Sequence, residues 1–323
     1  MRIEIGPNES GQRLDKFCRK WLEDVPLGAI FKALRKGDIR VNGKKAKQNY
    51  FLQEEDIIET KYIETYKQNK KDIPKKFQEV DFSSIKISYE DENILIIEKW
   101  PGVLVHSDKK NGEPTLTDYV LSYLFQKGDY DPQKEVTFTP APCNRLDRNT
   151  SGMVIFGKNF KTLKSLNAMI RERKIKKYYN ALVKGKIKEG YYEAYILKDE
   201  VNNISEIHKE KKQNSKRIAM EVKVIDTVGT FSFLELDLLT GRSHQLRAHL
   251  AYLGNPIIGD DKYGDKKLNS FFNNKYGLDF QFLYAYKLIF KDCPNELAYM
   301  ENKIITESLP PIFKKVKKDV LKF

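Results

Sequence analysis

One short segment of the chain combines a carboxylate with two guanidinium groups. In "PCNRLDRNTSG", Arg145 and Arg148 flank Asp147, and a Thr-Ser-Gly turn precedes a strongly apolar stretch. A carboxylate between two guanidiniums stays ionised, which suits it to nucleophilic or base chemistry. The alternative is a surface turn with incidental ion pairs. The tripeptide Arg-Leu-Asp also occurs near the start of the chain, where we expect Arg13 and Asp15 to face outward from a helix.

Two other segments have the spacing of a functional site but lack the residues that the chemistry needs. Gly152, Gly157 and Lys158 are spaced as in a phosphate-binding loop, yet the intervening Met-Val-Ile-Phe predicts a buried strand. His244 and His249 are five residues apart on a predicted helix and point to different faces, without Cys or acidic partners at ligand spacing. We therefore expect no bound nucleotide, metal or cofactor, and we expect His244 to be a hydrogen-bonding scaffold residue.

The composition predicts a two-domain globular protein with a polyanionic partner. The 323 residues include 18 Phe and 18 Tyr, enough for a buried core, and carry a net charge of +13. That charge favours nucleic acid over an anionic membrane, although a Lys-rich genome would also produce it. No apolar run approaches the ~20 residues that span a bilayer, and the N-terminus lacks a secretory pattern. Three scattered cysteines suggest reduced thiols, so we expect a cytoplasmic protein without a membrane contact.

The first 66 residues predict a small domain of two helices and a hairpin. Apolar residues from Leu14 to Trp21 recur at helical spacing, a second short helix ends at Gly37, and Asn42-Gly43 predicts a tight turn. Basic residues are concentrated on the second helix and the hairpin. They form either a face for nucleic-acid phosphates or an ordinary solvated surface: Lys32, Arg35, Lys36, Arg40, Lys44 and Lys45.

The remainder predicts a linker at residues 67–83 and an α+β domain at residues 84–323. Its strands follow one another too closely for repeated crossovers, so we expect a mixed, mostly antiparallel sheet. The polar stretch at residues 199–217 is interpreted as a loop over the substrate or as a disordered insertion. The basic tail "FKKVKKDVLKF" is either a terminal helix or another contact to nucleic-acid backbone.

Several motifs resemble one family of RNA-modifying enzymes, in the same order along the chain. The N-terminal segment "RLDKFCRKWL…AIFKALRKGDIRVNGKK" resembles the αL RNA-binding module. "NRLDRNTSG" resembles motif II of the RluA-type pseudouridine synthases, written H-R-L-D-x-x-[TS]-[SG]-G. "KKYYNALVKG" and "LTGRSHQLRAH" resemble that family's K-x-Y-x-A-L-V-x-G and T-G-R-[TS]-H-Q-[IL]-R-x-H motifs. The resemblance covers nearly the whole chain, but Asn144 stands where the family motif usually has His.

The resemblance implies roles for particular residues in a cofactor-free isomerisation of uridine. Asp147 would be the essential carboxylate, which either adds to C1′ or removes the 2′-hydrogen on a route through a glycal. Arg242 would pair with Asp147, and Tyr179 would stack on the uracil and handle the C5 proton. Arg145 would enter the RNA base stack as the target base leaves it.

Strand alternation adds an expectation about the neighbours of Tyr179. Lys177 lies on the same face of the strand as Tyr179 and should point with it towards the site and the RNA, whereas Tyr178 should belong to the core.

The resemblance thus implies an RNA pseudouridine synthase, an isomerase with an N-terminal RNA-binding domain. Its substrate would be large-subunit (23S) ribosomal RNA, with transfer RNA as the second choice, and we expect the protein to act as a monomer. The alternative is a catalytically silent RNA-binding protein or ribosome assembly factor with the same fold. An RNA-binding module fused to a methyltransferase would need a glycine-rich cofactor loop, which we do not find in the sequence.

Overall fold

A computed structural model describes residues 1–23, 25–61, 77–107, 112–132, 134–199 and 203–321. The chain forms two compact units. The first comprises Met1–Phe82, Thr117–Ala141 and Gly157–Lys164, and the second comprises Ser83–Leu116, Pro142–Phe156 and Ser165–Phe323. The division at a linker of residues 67–83 stays a prediction, because residues 67–76 lie outside the described residues.

The N-terminal segment of the first unit contains the helix pair and the hairpin that the sequence predicts. Gly37 ends the second helix with a left-handed φ of 83°, and Asn42 and Gly43 form the hairpin turn with φ of 51° and 73°. The described strands pair in the order β1-β4-β2-β3. The elements are β1 (Arg2–Glu4), α1 (Leu14–Trp21), α2 (Leu27–Lys36), β2 (Ile39–Val41), β3 (Lys44–Lys45) and β4 (Ile57–Thr60).

At the first Arg-Leu-Asp tripeptide, the expectation that Asp15 faces outward is wrong. Asp15 is buried at 8 % relative exposure rather than facing outward. Arg13 Nε and Nη2 donate to the two carboxylate oxygens of Asp15 at 3.1 and 2.7 Å, and the backbone N–H of Lys16 donates to the same carboxylate. The carboxylate can be buried because a guanidinium and a backbone donor satisfy it. In this copy of the tripeptide the arginine and the aspartate bind each other.

The second unit is built on a large mixed sheet. Among the described residues the sheet has 11 strands, with the path β11-β10-β12-β13-β9-β14-β8-β6-β5, and β15 and β7 pair with β14 and β8. From β11 to β14 along this path the neighbours are antiparallel, whereas β14 and β8 are parallel. The strands are β5 (Lys86–Glu90), β6 (Ile94–Lys99), β7 (Ala141–Pro142), β8 (Ser151–Gly157), β9 (Ile175–Lys184), β10 (Gly190–Asp199), β11 (Ile204–His208), β12 (Lys216–Val228), β13 (Phe231–Leu238), β14 (Leu283–Phe290) and β15 (Ile304–Thr306).

The chain from residue 83 onward also contains helices, which confirms the predicted α+β class. They are α3 (Leu116–Lys127), α4 (Phe160–Arg171), α5 (Gln245–Tyr252), α6 (Lys266–Tyr276) and α7 (Pro311–Val320), with a 3₁₀ segment at Asn295–Met300. The basic tail is therefore a helix, α7, with Phe313 and Val316 buried. Within the described residues, none of the helices has both the length and the apolar character that crossing a lipid bilayer requires.

The interpretation of residues 199–217 as a loop is wrong in part. β11 lies inside this stretch and pairs antiparallel with β10 along Ile204 to His208, and β12 begins at Lys216. The segment is polar because it forms the edge of the sheet, where only one side of the strand needs a partner. Residues 200–202 lie outside the described residues.

Gly152 allows the close approach of β8 and β14. It lies opposite Ala285 in the parallel pair and has a φ of +120°. A Cβ atom at Gly152 would lie 2.4 Å from the carbonyl oxygen of Ala285, which belongs to the backbone and cannot rotate away. Glycine is therefore required at this position by both its dihedral angle and its contact distance.

We predict that Gly152→Ala destabilises the second unit by about 3 kcal/mol or more, because it introduces a backbone clash in a packed sheet. Denaturant unfolding followed by the fluorescence of Trp100, in a Trp21→Phe background, would measure the change. The control is Gly241→Ala in the same unit, where φ is not positive and no atom lies within 4 Å of the new Cβ. That variant should change stability by less than about 1 kcal/mol; equal effects of the two variants would contradict the argument.

Candidate active site

The second Arg-Leu-Asp tripeptide lies in the loop between β7 and β8, which side-chain hydrogen bonds fix in place. Asn144 Nδ2 donates to the carbonyl of Met153 at 3.3 Å, and the N–H of Ile155 donates to Asn144 Oδ1 at 2.8 Å. Asn144 thus binds β8 through its side chain as a neighbouring strand would through its backbone. The asparagine at this position serves to anchor the loop that carries Asp147.

A buried lysine holds the other side of the same loop. Lys99, the last residue of β6, is fully buried, and its Nζ donates to the carbonyls of Trp100, Val103 and Arg148 at 3.0, 2.9 and 2.8 Å. Three carbonyls match the three N–H groups of an ammonium. Burial lowers the pKa of Lys99 to about 7, against the opposing effect of the negative charge of Asp147. Lys99 therefore ties the residue after Asp147 to the end of β6.

Asp147 is bound by a buried arginine of α5. Arg247 Nη1 donates to Asp147 Oδ2 at 3.1 Å, and the side chains are 5 % and 24 % exposed. Arg247 Nε and Nη2 donate to the two oxygens of the fully buried Asp260 carboxylate at 2.6 and 2.9 Å. Burial lowers the pKa of Arg247, but the hydrogen bonds and charge of Asp260, and then those of Asp147, raise it above its ordinary value. The guanidinium is held as a cation.

This arrangement corrects the expected pairing of Asp147 with Arg242. Arg242 is exposed, and its backbone N–H donates to Gln245 Oε1 at 3.1 Å. In the part of the chain that the structure describes, no ion pair joins Arg242 to Asp147. The physical reason is the position of the two arginines: Arg242 precedes α5, whereas Arg247 lies within this helix, of which Gln245 to Leu250 are all buried. Arg247 lies between the apolar residues Leu246 and Ala248, and a charged side chain buried among such neighbours is normally paired.

Tyr179, on β9, lies within electrostatic range of Asp147. It is 4 % exposed, and burial raises its pKa, as does the nearby charge of Asp147. Lys177 is half-buried on the same strand; burial lowers its pKa while the charge of Asp237 opposes the shift. Of the predicted catalytic residues, the structure thus brings Asp147 and Tyr179 together and leaves Arg242 apart.

Tyr178 is half-buried rather than a core residue, which corrects the sequence-based expectation. The Lys287 ammonium lies 4.1 Å from the centre of the Tyr178 ring, and Lys287 Nζ donates to Glu235 at 2.6 Å. A cation on the ring face, with a carboxylate beside it, gives this side of the sheet a polar character. Alternation along β9 correctly predicted that Tyr178 lies on the face opposite to Tyr179. It did not predict that the charged side chain of Lys287 covers the Tyr178 ring.

Apart from the half-buried Lys177, the predicted RNA-binding residues are exposed. Arg145 projects from the Asp147 loop, while its neighbour Leu146 is buried. Burial lowers the pKa of His106, and the charge of Arg145 lowers it further. On the N-terminal unit, Arg40 donates to the carbonyls of Gly37 and Gly43 at 3.0 and 3.3 Å. The other basic residues there are exposed: Lys32, Arg35, Lys36, Lys44 and Lys45.

Comparisons with known proteins identify similar families and relatives. A family described as RNA pseudouridylate synthase matches residues 93–252, and the S4 domain matches residues 12–58. The chain is 32 % identical to the ribosomal large subunit pseudouridine synthase C of Vibrio parahaemolyticus, over 95 % of this chain and 93 % of that protein. It is likewise 32 % identical to the protein of the same name from Vibrio vulnificus, over 96 % and 94 %.

Solved structures show the same fold. The human RNA pseudouridylate synthase domain containing 4 superposes with a TM-score of 0.57 at 22 % identity, covering 72 % of this chain and 92 % of that one. The human RNA pseudouridylate synthase domain containing 1 gives a TM-score of 0.51 at 20 % identity, covering 76 % and 98 %. At this identity the likeness is one of fold, and it supports the α+β class.

We predict that Lys99→Met lowers the free energy of unfolding by about 3 kcal/mol or more, because three buried carbonyls lose their hydrogen-bond donor. Denaturant unfolding followed by Trp100 fluorescence would measure it. Lys186→Met, at an exposed lysine after β9, is the matched control and should change stability by less than about 0.5 kcal/mol. A Lys99→Met protein as stable as the control would show that the three carbonyls do not depend on the ammonium.

Proposed function

Because the chain belongs to the RNA pseudouridylate synthase family, we propose that it isomerises specific uridines of large-subunit ribosomal RNA to pseudouridine. Two observations support ribosomal RNA as the substrate. The relatives that match most of the chain are named ribosomal large subunit pseudouridine synthase C, and the N-terminal segment matches the S4 domain. The net charge of +13 fits a polyanionic partner.

The observation that carries the proposal is the ion pair between Asp147 and Arg247. Arg247 binds only one oxygen of Asp147, Oδ2, at 3.1 Å. Among the described residues, Oδ1 of Asp147 accepts no hydrogen bond, and the Asp147 side chain is 24 % exposed. The pair therefore holds an ionised carboxylate in a defined orientation with one oxygen available to a substrate. A fixed, ionised carboxylate is what a nucleophile or a general base requires.

The reaction exchanges the glycosidic bond of uridine from N1 to C5. The N1–C1′ bond breaks, the uracil rotates within the site and a C5–C1′ bond forms; C5 then loses its proton and N1 gains one, so the product is an isomer of the substrate. Asp147 either adds to C1′ or removes the 2′-hydrogen, and in both routes the reacting atom is a carboxylate oxygen. The Arg247–Asp147 ion pair suits both routes because it fixes the direction of the carboxylate through Oδ2 and leaves Oδ1 open to the substrate.

Tyr179 is suited to hold the uracil during its rotation. Burial and the charge of Asp147 raise its pKa, so the phenol stays protonated at neutral pH. A protonated, buried ring next to the carboxylate can stack on a base and donate a hydrogen bond. These properties favour stacking over removal of the C5 proton by Tyr179, because a phenol with a raised pKa is a poor base at neutral pH.

We assign Arg145 and Arg242 to contacts with RNA rather than to a pair with Asp147. Both are exposed, and both adjoin the residues of the ion pair in sequence, Arg145 in the Asp147 loop and Arg242 before α5. Arg145 would fill the space that the target base leaves on flipping into the site. Arg242 would bind a neighbouring phosphate, as an exposed guanidinium does in bidentate fashion.

We predict that Asp147→Asn lowers the single-turnover rate of pseudouridine formation by at least about 100-fold, since the amide cannot act as nucleophile or base. The assay would use unmodified large-subunit ribosomal RNA and chemical mapping of pseudouridine. RNA affinity should change by less than about threefold, because the side chains have nearly the same shape.

Asp279→Asn, at an exposed aspartate without a hydrogen bond among the described residues, is the matched control and should keep the wild-type rate. A normal rate for Asp147→Asn would contradict the role of Asp147. No pseudouridine from the wild-type protein on any ribosomal or transfer RNA, with RNA binding intact, would favour the catalytically silent RNA-binding protein.

We also predict that the triple variant Lys32→Ala, Arg35→Ala and Lys36→Ala weakens RNA binding in proportion to lost phosphate contacts. Lys32, Arg35 and Lys36 share one exposed face of α2 because they are three and four residues apart. The slope of log affinity against log salt concentration should fall by about 2 to 3. The double variant Lys186→Ala and Lys188→Ala, on an exposed loop of the second unit, should keep the slope; an unchanged slope in the triple variant would exclude α2 from the interface.

A further inference from the structure

His244 has a strained backbone next to the Asp147–Arg247 ion pair and takes no part in the proposed chemistry. It is the residue before α5, its φ is +56°, and its side chain does not cap the helix. A left-handed conformation is unfavourable for a residue with a Cβ atom, although histidine adopts it more often than most. Such strain is retained where the surrounding structure fixes the residue, so the contacts of its ring are informative.

Tyr263 fixes one nitrogen of the imidazole. His244 Nδ1 lies 2.9 Å from Tyr263 Oη, and the two rings pack edge to face with 5.7 Å between their centres. Tyr263 Oη already accepts the backbone N–H of Ser205, on β11, at 2.7 Å. The Tyr263 hydroxyl can also donate its own proton to the imidazole; with that donation Nδ1 is the acceptor and the ring proton lies on Nε2.

Tyr263 is itself part of the framework around the ion pair. Its backbone N–H donates to Asp260 Oδ1 at 3.0 Å, and the Arg247 guanidinium lies 5.4 Å from the centre of its ring. The residue that orients His244 thus also contacts Arg247 and Asp260, the groups that orient Asp147. The direction of the imidazole is set by the same framework that sets the direction of the carboxylate.

The imidazole is neutral and accessible in this environment. Burial lowers the pKa of His244, and the charge of Asp147 opposes the shift, which places the two side chains within electrostatic range. The residue is only half-buried. Within the described ranges of the chain, Nε2 forms no hydrogen bond. A neutral imidazole with a fixed acceptor at Nδ1 presents a single N–H donor at Nε2.

We infer that His244 is a substrate-binding residue whose Nε2–H donates a hydrogen bond to an oxygen of the target nucleotide, either a uracil carbonyl or a phosphate oxygen. This rests on the proposed function of the site. Tyr263 is the positioning residue that keeps the donor on Nε2, and Ser205 of β11 keeps Tyr263 in the required direction. The edge strand that the sequence did not reveal thereby contributes to substrate recognition.

The first test is independent of activity. Nitrogen NMR of histidine-labelled protein, with His244 assigned by its loss in His244→Asn, should show Nε2 protonated and Nδ1 unprotonated at neutral pH. In Tyr263→Phe the hydroxyl is absent, and the His244 signals should move towards a mixture of the two tautomers. Finding the proton on Nδ1 in the wild-type protein would overturn the inference, whether or not the protein makes pseudouridine.

The second test compares two substitutions, His244→Gln and His244→Asn, whose side-chain amides take the places of different imidazole nitrogens. The glutamine amide reaches the place of Nε2, whereas the asparagine amide reaches only that of Nδ1, and asparagine adopts a left-handed φ readily. Under single-turnover conditions His244→Asn should raise the RNA concentration for half-maximal rate by about tenfold, the value of one hydrogen bond of about 1.4 kcal/mol. His244→Gln should recover at least half of that loss on a logarithmic scale, with the maximal rate of both within about threefold of wild type.

Modified RNA then identifies the acceptor. A 2-thiouridine, a 4-thiouridine or a phosphorothioate at the target should each weaken binding to the wild-type protein only if that oxygen is the acceptor. The same substitution should have no further effect in His244→Asn. If no thio substitution distinguishes wild type from His244→Asn, or if His244→Asn has wild-type affinity, the inference is wrong while pseudouridine formation by the wild-type protein keeps the proposed function.

Discussion

The structure around the candidate site depends on one buried guanidinium and its need for hydrogen-bond acceptors. Arg247 is 5 % exposed and satisfies its N–H groups with Asp260, Asp147 and Asp261. A buried charge is tolerated only when it is paired with good geometry, and the planar fork of arginine allows few arrangements. Asp260 fixes two corners of that fork, which leaves Nη1 to define where the Asp147 carboxylate lies. The orientation of the reacting group is thus a consequence of charge burial on α5.

Supporting contacts keep the Asp147 loop where the guanidinium needs it. Lys99 and Asn144 form hydrogen bonds with backbone groups on both sides of the loop. The loop is therefore fixed, and the guanidinium of Arg247 has to lie where it can reach the Asp147 carboxylate. Tyr263 extends the same framework to the imidazole of His244. A preorganised carboxylate with one oxygen open to the substrate needs little rearrangement during the reaction, which is how fixed polar groups favour a transition state.

The two Arg-Leu-Asp tripeptides have the same sequence but form different contacts, because their surroundings differ. In the first, Arg13 and Asp15 bind each other, so neither guanidinium nor carboxylate is left for a partner at a distance. In the second, Leu146 is buried and Arg145 is exposed, and Asp147 binds an arginine 100 residues further along the chain. The local tripeptide supplies the same groups in both places; the helix or the loop around it decides whether they can reach one another.

The sequence alone determined the elements whose signal is local. Helical spacing of apolar residues, the Asn42-Gly43 turn and the apolar run of β8 predicted the structure because backbone preference and side-chain periodicity act within a few residues. Family motifs indicated the Asp147 loop and Tyr179 because each motif is a short run of neighbouring residues. The tertiary structure decided that Arg247 rather than Arg242 binds Asp147, that Lys287 covers Tyr178, and that residues 204–208 form a strand. These outcomes depend on which distant groups are buried together, and burial is a property of the packed chain rather than of any short segment.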